Sequence, residues 1–152
     1  MNPRNDVLTL EAMASPVKNE IFVPASPTDV WRKVADVERW GAWRKVDPKA
    51  WKAGAAPLEV GSAFGWVAGY NVSATVTECV EGRVLTWKGS VLLGSVRAHH
   101  RWLFAPEGAG CRVTVEEEMG GLLGKCMLSD EALSALNDEW LAELRASFEA
   151  KK

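Results

Sequence analysis

The sequence is short of the residues that most often announce a specific chemistry. Its 152 positions include three cysteines, Cys79, Cys111 and Cys126. The count is odd and no two form a C-x-x-C pair, which argues against a disulfide framework and a structural zinc site. Three reduced, partly buried thiols are the plain reading. The only histidines, His99 and His100, are neighbours. Neighbours on a strand point to opposite faces, so the two cannot hold one ion together, and no metal is expected. No G-x-S-x-G and no P-loop lysine–serine pair occurs, and no organic cofactor is expected.

Charge of one sign is also lacking. The formal net charge is −2, and Lys and Arg are interspersed with Asp and Glu. A nucleic-acid partner would call for a basic stripe, and anionic lipid for a basic cluster; Lys151-Lys152 reads as a solvated tail instead. No segment approaches the length of a transmembrane helix. Met1 to Pro16 carries Arg4, Asp6 and Glu11 and no apolar core, so it does not read as a signal peptide. The expectation is a cytoplasmic protein with no nucleic-acid partner and no membrane insertion.

What the chain does have is tryptophan: eight, beside one tyrosine and four phenylalanines. At 47% apolar and 25% charged, a chain of this length can bury a core without covalent staples. Residues 1–15 read as a loose leader and 16–150 as one domain.

The element signals follow in order. Val17 to Val23 reads as a strand closed by Pro24. Ser26-Pro27-Thr28-Asp29 announces a helix, with Ser26 as cap, Pro27 in the first turn and Asp29 at the positive end. A second short helical turn spans Asp36 to Trp43. A long connection with a short strand near Trp51 leads to alternating runs around Phe64 and Trp66, Val72 to Val76, and Arg83 to Gly89. Val96, Ala98, His100, Trp102 and Phe104 share one face of a longer strand, opposite Arg97, His99, Arg101 and Leu103. After a turn over Pro106 to Gly110, the last strand puts Cys111, Val113, Val115, Glu117 and Met119 on one face. Gly120, Gly121 and Gly124 read as a hinge. A helix capped by Ser129 or Asp130 follows, its apolar stripe Leu133, Leu136, Trp140, Leu144 and Phe148. The fold class is therefore α+β: a curved antiparallel sheet of about six or seven strands, two short helices after the first strand, and one long C-terminal helix over a cavity.

The segments VPASPTDVW (23–31), DVERWGAW (36–43), VGSAF (60–64), ATVTE (74–78), RVLTW (83–87) and GCRVT (110–114) together resemble the SRPBCC (START-like, helix-grip) superfamily, in particular its polyketide cyclase/dehydrase-like branch. The resemblance runs from about Val17 to about Glu149. It implies a deep hydrophobic cavity under the C-terminal helix and carries no universal catalytic residue. Family members range over lipid carriers, cyclases, dehydratases, hormone receptors and chaperone activators, so the fold does not fix the function.

Within that frame His100 and Glu117 are the candidate catalytic pair, because both lie on apolar faces of strands joined by one turn. They could act as general acid and base, or merely satisfy one another. A register slip of one residue would substitute His99 for His100, and Glu116 or Glu118 for Glu117. Phe64, Trp66, Trp87, Trp102, Val115, Met119, Leu136 and Trp140 are the candidate ligand-binding residues. The inward tryptophans could stack on a flat ligand or form a dry core. Trp31, Trp40 and Trp43 read as packing at one end of the grip, or as edging a pocket mouth. The first expectation is lipid or other hydrophobic ligand binding, of a small apolar or aromatic molecule. A cofactor-independent cyclase/dehydratase and a protein-interaction module are the alternatives, with homodimerisation through a sheet edge left open.

Overall fold

The computed structural model describes residues 16–121, 123–124 and 128–149. The expected leader over residues 1–15, and Cys126, lie outside them. The first strand, β1 (Val17–Val23), leads into α1 (Pro27–Ala35) and a 3₁₀ helix over Val37–Ala42. The Ser26 hydroxyl accepts from the Asp29 N–H at 3.1 Å, as the cap reading requires. Six further strands follow: β2 (Trp51–Lys52), β3 (Ala63–Val67), β4 (Asn71–Val80), β5 (Val84–Val91), β6 (Val96–Glu107) and β7 (Gly110–Gly120). The long helix α2 (Asp130–Glu149) comes last.

All seven strands form one antiparallel sheet in the order β1-β7-β6-β5-β4-β3-β2. The meander from β2 to β7 has the first strand added against the last. Side chains alternate as expected along β6 and β7: Val96, His100, Trp102 and Phe104 are buried on one side, and Cys111, Val113, Val115 and Glu117 line up with them. The turn expected over Pro106 to Gly110 is tighter than the sequence indicates. Pairing continues to Glu107 opposite Gly110, and Gly108, at φ +55°, makes the reversal within two residues.

Two anchors fix the helices on the sheet. The Trp31 indole N–H donates to the Val84 carbonyl at 3.0 Å, docking α1 on β5. Asn19 Nδ2 donates to Ser134 Oγ at 2.9 Å and Asp138 Oδ1 at 2.8 Å, tying β1 to α2. The buried side-chain N–H₂ of a residue on the first strand is thus satisfied by the last helix.

The buried face of α2 differs from the expected stripe. Leu133, Leu141 and Leu144 are buried with Asn137 and Glu143, whereas Leu136 is 46% exposed. The helix is rotated so that Leu133, Asn137, Leu141 and Leu144, spaced four, four and three apart, meet the sheet. The two polar residues are tolerated for different reasons. Glu143 is paired: its Oε1 accepts from Arg44 Nε at 2.6 Å and from the Lys45 N–H at 3.0 Å. Asn137 faces a cavity.

Candidate binding cavity and its acid–base pair

Between the sheet and α2 lies a cavity of about 340 Å³. That is within the range of about 300–1,000 Å³ typical of ligand pockets, at its small end. The strands supply its wall in register: Trp66 from β3, Trp87 from β5, His100 and Trp102 from β6, Glu117 and Met119 from β7. The helix closes it with Leu133, Asn137 and Trp140. Tyr70 and Leu136 also line it and are half-exposed, which places them at its mouth.

Trp40 was expected to pack at one end of the grip or to edge a pocket mouth. It is in fact the hub of an aromatic cluster and lines the cavity. Its ring centroid lies 5.0 Å from Trp140, 5.7 Å from Trp66 and 6.1 Å from Trp87. Most of these contacts are edge-on, the arrangement the ring quadrupole favours, each adding about 0.5–1.5 kcal/mol beyond area burial. The Trp40 indole N–H is spent on the Val34 carbonyl at 2.9 Å, so the ring offers only apolar surface. The tryptophans form a packed cluster that also makes one side of an open cavity.

Of the candidate ligand-binding residues, Trp66, Trp87, Trp102, Met119, Leu136 and Trp140 line the cavity. Phe64 and Val115 are buried outside its lining. The rings of Trp66 and Trp87 cover Phe64, at 5.8 and 5.2 Å between centroids. Val115 sits across the ladder from Trp102, whose larger ring takes the wall there. Sequence reasoning missed Tyr70 and Asn137, and left Trp40 out of the candidate ligand-binding set. The signal for Asn137 was present in the spacing Leu133, Asn137, Leu141, where one polar residue interrupts an apolar row.

His100 and Glu117 are direct cross-strand partners, so the register slip does not occur. His100 Nδ1 lies 3.5 Å from Glu117 Oε2, longer than an ordinary hydrogen bond of about 2.7–3.2 Å. Burial pushes the His100 imidazole below its usual range, with the Glu117 charge opposing that shift. The carboxylate facing Nδ1 favours the tautomer with its proton there, in which Nε2 carries the lone pair. The His100 ring is stacked on Trp102 at 5.6 Å and 9° and tilted against Trp87 at 4.8 Å. A neutral imidazole held between indoles beside a carboxylate can accept a proton from a bound molecule.

His99 lies on the other face of β6. Its imidazole is lowered by burial first, then by the charges of Lys88 and Arg101, against Glu78 and Glu118. Nearby, Arg101 is 3% exposed and pairs with Glu78 and Glu116, each at 3.2 Å. Cys111 is buried, and desolvation raises its thiol, so it is held in the unreactive form. Among the described residues no cluster of three or more His, Cys, Asp or Glu could hold a metal, and no helix is long and apolar enough to cross a membrane.

Comparison with known proteins agrees with this architecture. The hypothetical protein jhp0584 from Helicobacter pylori superposes with a TM-score of 0.76 at 20% identity, covering 88% of each chain. DynU16, from the dynemicin biosynthetic locus, gives 0.70 at 20% identity over 90% of this chain and 48% of its own. Aha1 from Colwellia psychrerythraea, solved as a dimer, gives 0.69 at 15% identity over 91% of this chain and 98% of its own. No curated protein matches the sequence. Residues 16–149 match the family described as polyketide cyclase / dehydrase and lipid transport, and the chain belongs to that family.

Proposed function

We propose that the protein binds a small hydrophobic, ring-bearing molecule in the cavity between the sheet and α2. The observation that carries this reading is the cavity itself: about 340 Å³, walled by Trp40, Trp66, Trp87, Trp102 and Trp140. Indole faces give a flat ligand broad apolar contact with little side-chain entropy to lose. Family membership is in keeping with a ligand-binding role. Native mass spectrometry of the gently purified protein tests it. A discrete extra mass that disappears on denaturation is expected; a clean chain mass together with no uptake of a fluorescent apolar dye would sink it.

A second reading, proton transfer of the cyclase or dehydratase kind, is favoured by one observation. Burial favours the neutral form of His100, Glu117 faces its Nδ1 at 3.5 Å, and its Nε2 has no hydrogen-bond partner. Glu117 would be the positioning residue and Nε2 the base. A His100→Ala variant should keep affinity for the ligand found by mass and lose its conversion. Unchanged conversion would remove His100 from the role.

A further inference from the structure

Among the described residues three arginine or glutamate side chains are buried: Arg101, Glu117 and Glu143. Two of them are compensated. Arg101 lies 3.2 Å from both Glu78 and Glu116, and Glu143 lies 2.6 Å from Arg44. Glu117 has no such partner. The one basic nitrogen within 4 Å of its carboxylate is His100 Nδ1, at 3.5 Å, and burial favours the neutral form of that imidazole. Directly across the ladder Glu117 meets His100 on β6 and Val17 on β1, so neither neighbouring strand sets a lysine or arginine opposite it. A buried carboxylate without a cation is costly to keep, and that cost calls for a partner from outside the fold.

Glu117 is also within reach of such a partner. It lines the cavity, and it is the only carboxylate among the described lining residues, which include no lysine or arginine. Neither of its oxygens accepts a hydrogen bond, yet neither is sealed from solvent as Glu143 Oε2 is. The far side of the concave face suits a ring. Trp66 on β3 and Tyr70 in the following turn keep part of their surface open, with β4, β5 and β6 between them and Glu117 on β7. Aromatic rings present a negative face, which attracts a cation and disfavours an anion. We infer that the cavity takes a compact ring-bearing molecule with a protonated amine at one end. The ammonium group pairs with Glu117, and the ring lies towards Trp66 and Tyr70. A ligand carboxylate would be repelled by Glu117, and an alcohol would leave its charge unbalanced. This inference rests on the binding reading proposed above and adds the class of ligand.

Calorimetric titration of the full chain at neutral pH with four two-ring probes separates the outcomes: 2-naphthylmethylamine, 2-naphthylmethanol, 2-ethylnaphthalene and 2-naphthoate. The amine, protonated at that pH, is expected to bind about tenfold or more tighter than each of the others. Glu117→Gln, which keeps the shape and removes the charge, should bring the amine level with the alcohol. The ranking on the unaltered chain tests the inference even where that variant fails to fold. The alcohol matching or exceeding the amine overturns the ammonium inference in favour of a neutral donor and leaves the pocket reading standing. Ethylnaphthalene binding tightest overturns it in favour of a purely apolar ligand. Naphthoate binding tightest overturns it and shows that the positive charge belongs to His100. An amine advantage that survives Glu117→Gln removes Glu117 as the partner and overturns the inference too. Binding of none of the four by the folded protein overturns the pocket reading, and the ammonium inference with it.

Discussion

His100 and His99 are both held below the ordinary imidazole range, in each case chiefly by burial. In the unfolded chain both take up protons near pH 6.5, the usual histidine value; in the folded chain they do so only at lower pH. Between the two, the unfolded state holds more protons, so stability rises with pH across that window. Stability should be unaffected by these residues well above pH 6.5 and fall as the pH drops below it. Urea unfolding at pH 7.5 and 5.5 measures the loss, and an NMR titration of the His100 ring assigns it. A His100 resonance titrating above pH 6.5 would show that the Glu117 charge, not burial, dominates.

At the scale of elements, what holds α2 over the sheet is concentrated at few points. Glu143, on the helix, is buried and accepts from both Arg44 and the Lys45 N–H. Arg44 in turn lies 3.4 Å over the Trp140 ring, a cation–π contact with a residue of the cavity. Removing one member of a buried pair leaves the other uncompensated, so Glu143→Ala should cost about 3 kcal/mol. Glu143→Gln, which keeps an acceptor for the Lys45 N–H, should cost less; chemical denaturation would rank the two. The link at the end of β7 has its own requirement. Gly121 adopts φ +85°, and a Cβ there would lie 2.7 Å from the Ser95 carbonyl oxygen. Gly121→Ala should therefore destabilise by about 2 kcal/mol, the left-handed backbone and the backbone clash both opposing it. An unchanged unfolding midpoint would show that the link rearranges freely.

For the whole molecule, the consequence is a fold whose core is split. One part is closed packing around Val23, Val30, Leu85, Val113 and Leu144, all fully buried. The other is the aromatic wall of an open cavity. The two parts should respond differently to substitution. Ala98 lines the cavity between Val96 and His100 on β6, where a larger side chain has room to enter. Ala98→Phe should reduce uptake of a fluorescent apolar dye about tenfold or more while changing the unfolding free energy by no more than about 1 kcal/mol. Loss of stability in step with loss of uptake would mean that the cavity volume is part of the packed core.

Much of this was legible in the chain because it depends on local periodicity. Alternation along Val96–Phe104 and Cys111–Met119 determines which face of each strand is apolar, and the direct pairing of His100 with Glu117 follows once the turn between them is short. The Ser26 cap and the first helix are written in adjacent residues. The rotation of α2 was not legible in that way. Leu136 and Leu141 are equally apolar, and the helix turns Leu141 inward because Asn19, Arg44 and the Lys45 N–H, all distant in sequence, hold its polar residues. The central place of Trp40 is likewise a matter of where a short 3₁₀ helix docks against β3, β5 and α2. The cavity volume arises from how side chains on separate elements fail to fill a shared space. Sequence thus determined the elements, the inward faces of the long strands and the family. Only the tertiary structure decided which inward residues touch one another, which are covered, and which are left facing a cavity, because packing depends on contacts between residues that no local pattern relates.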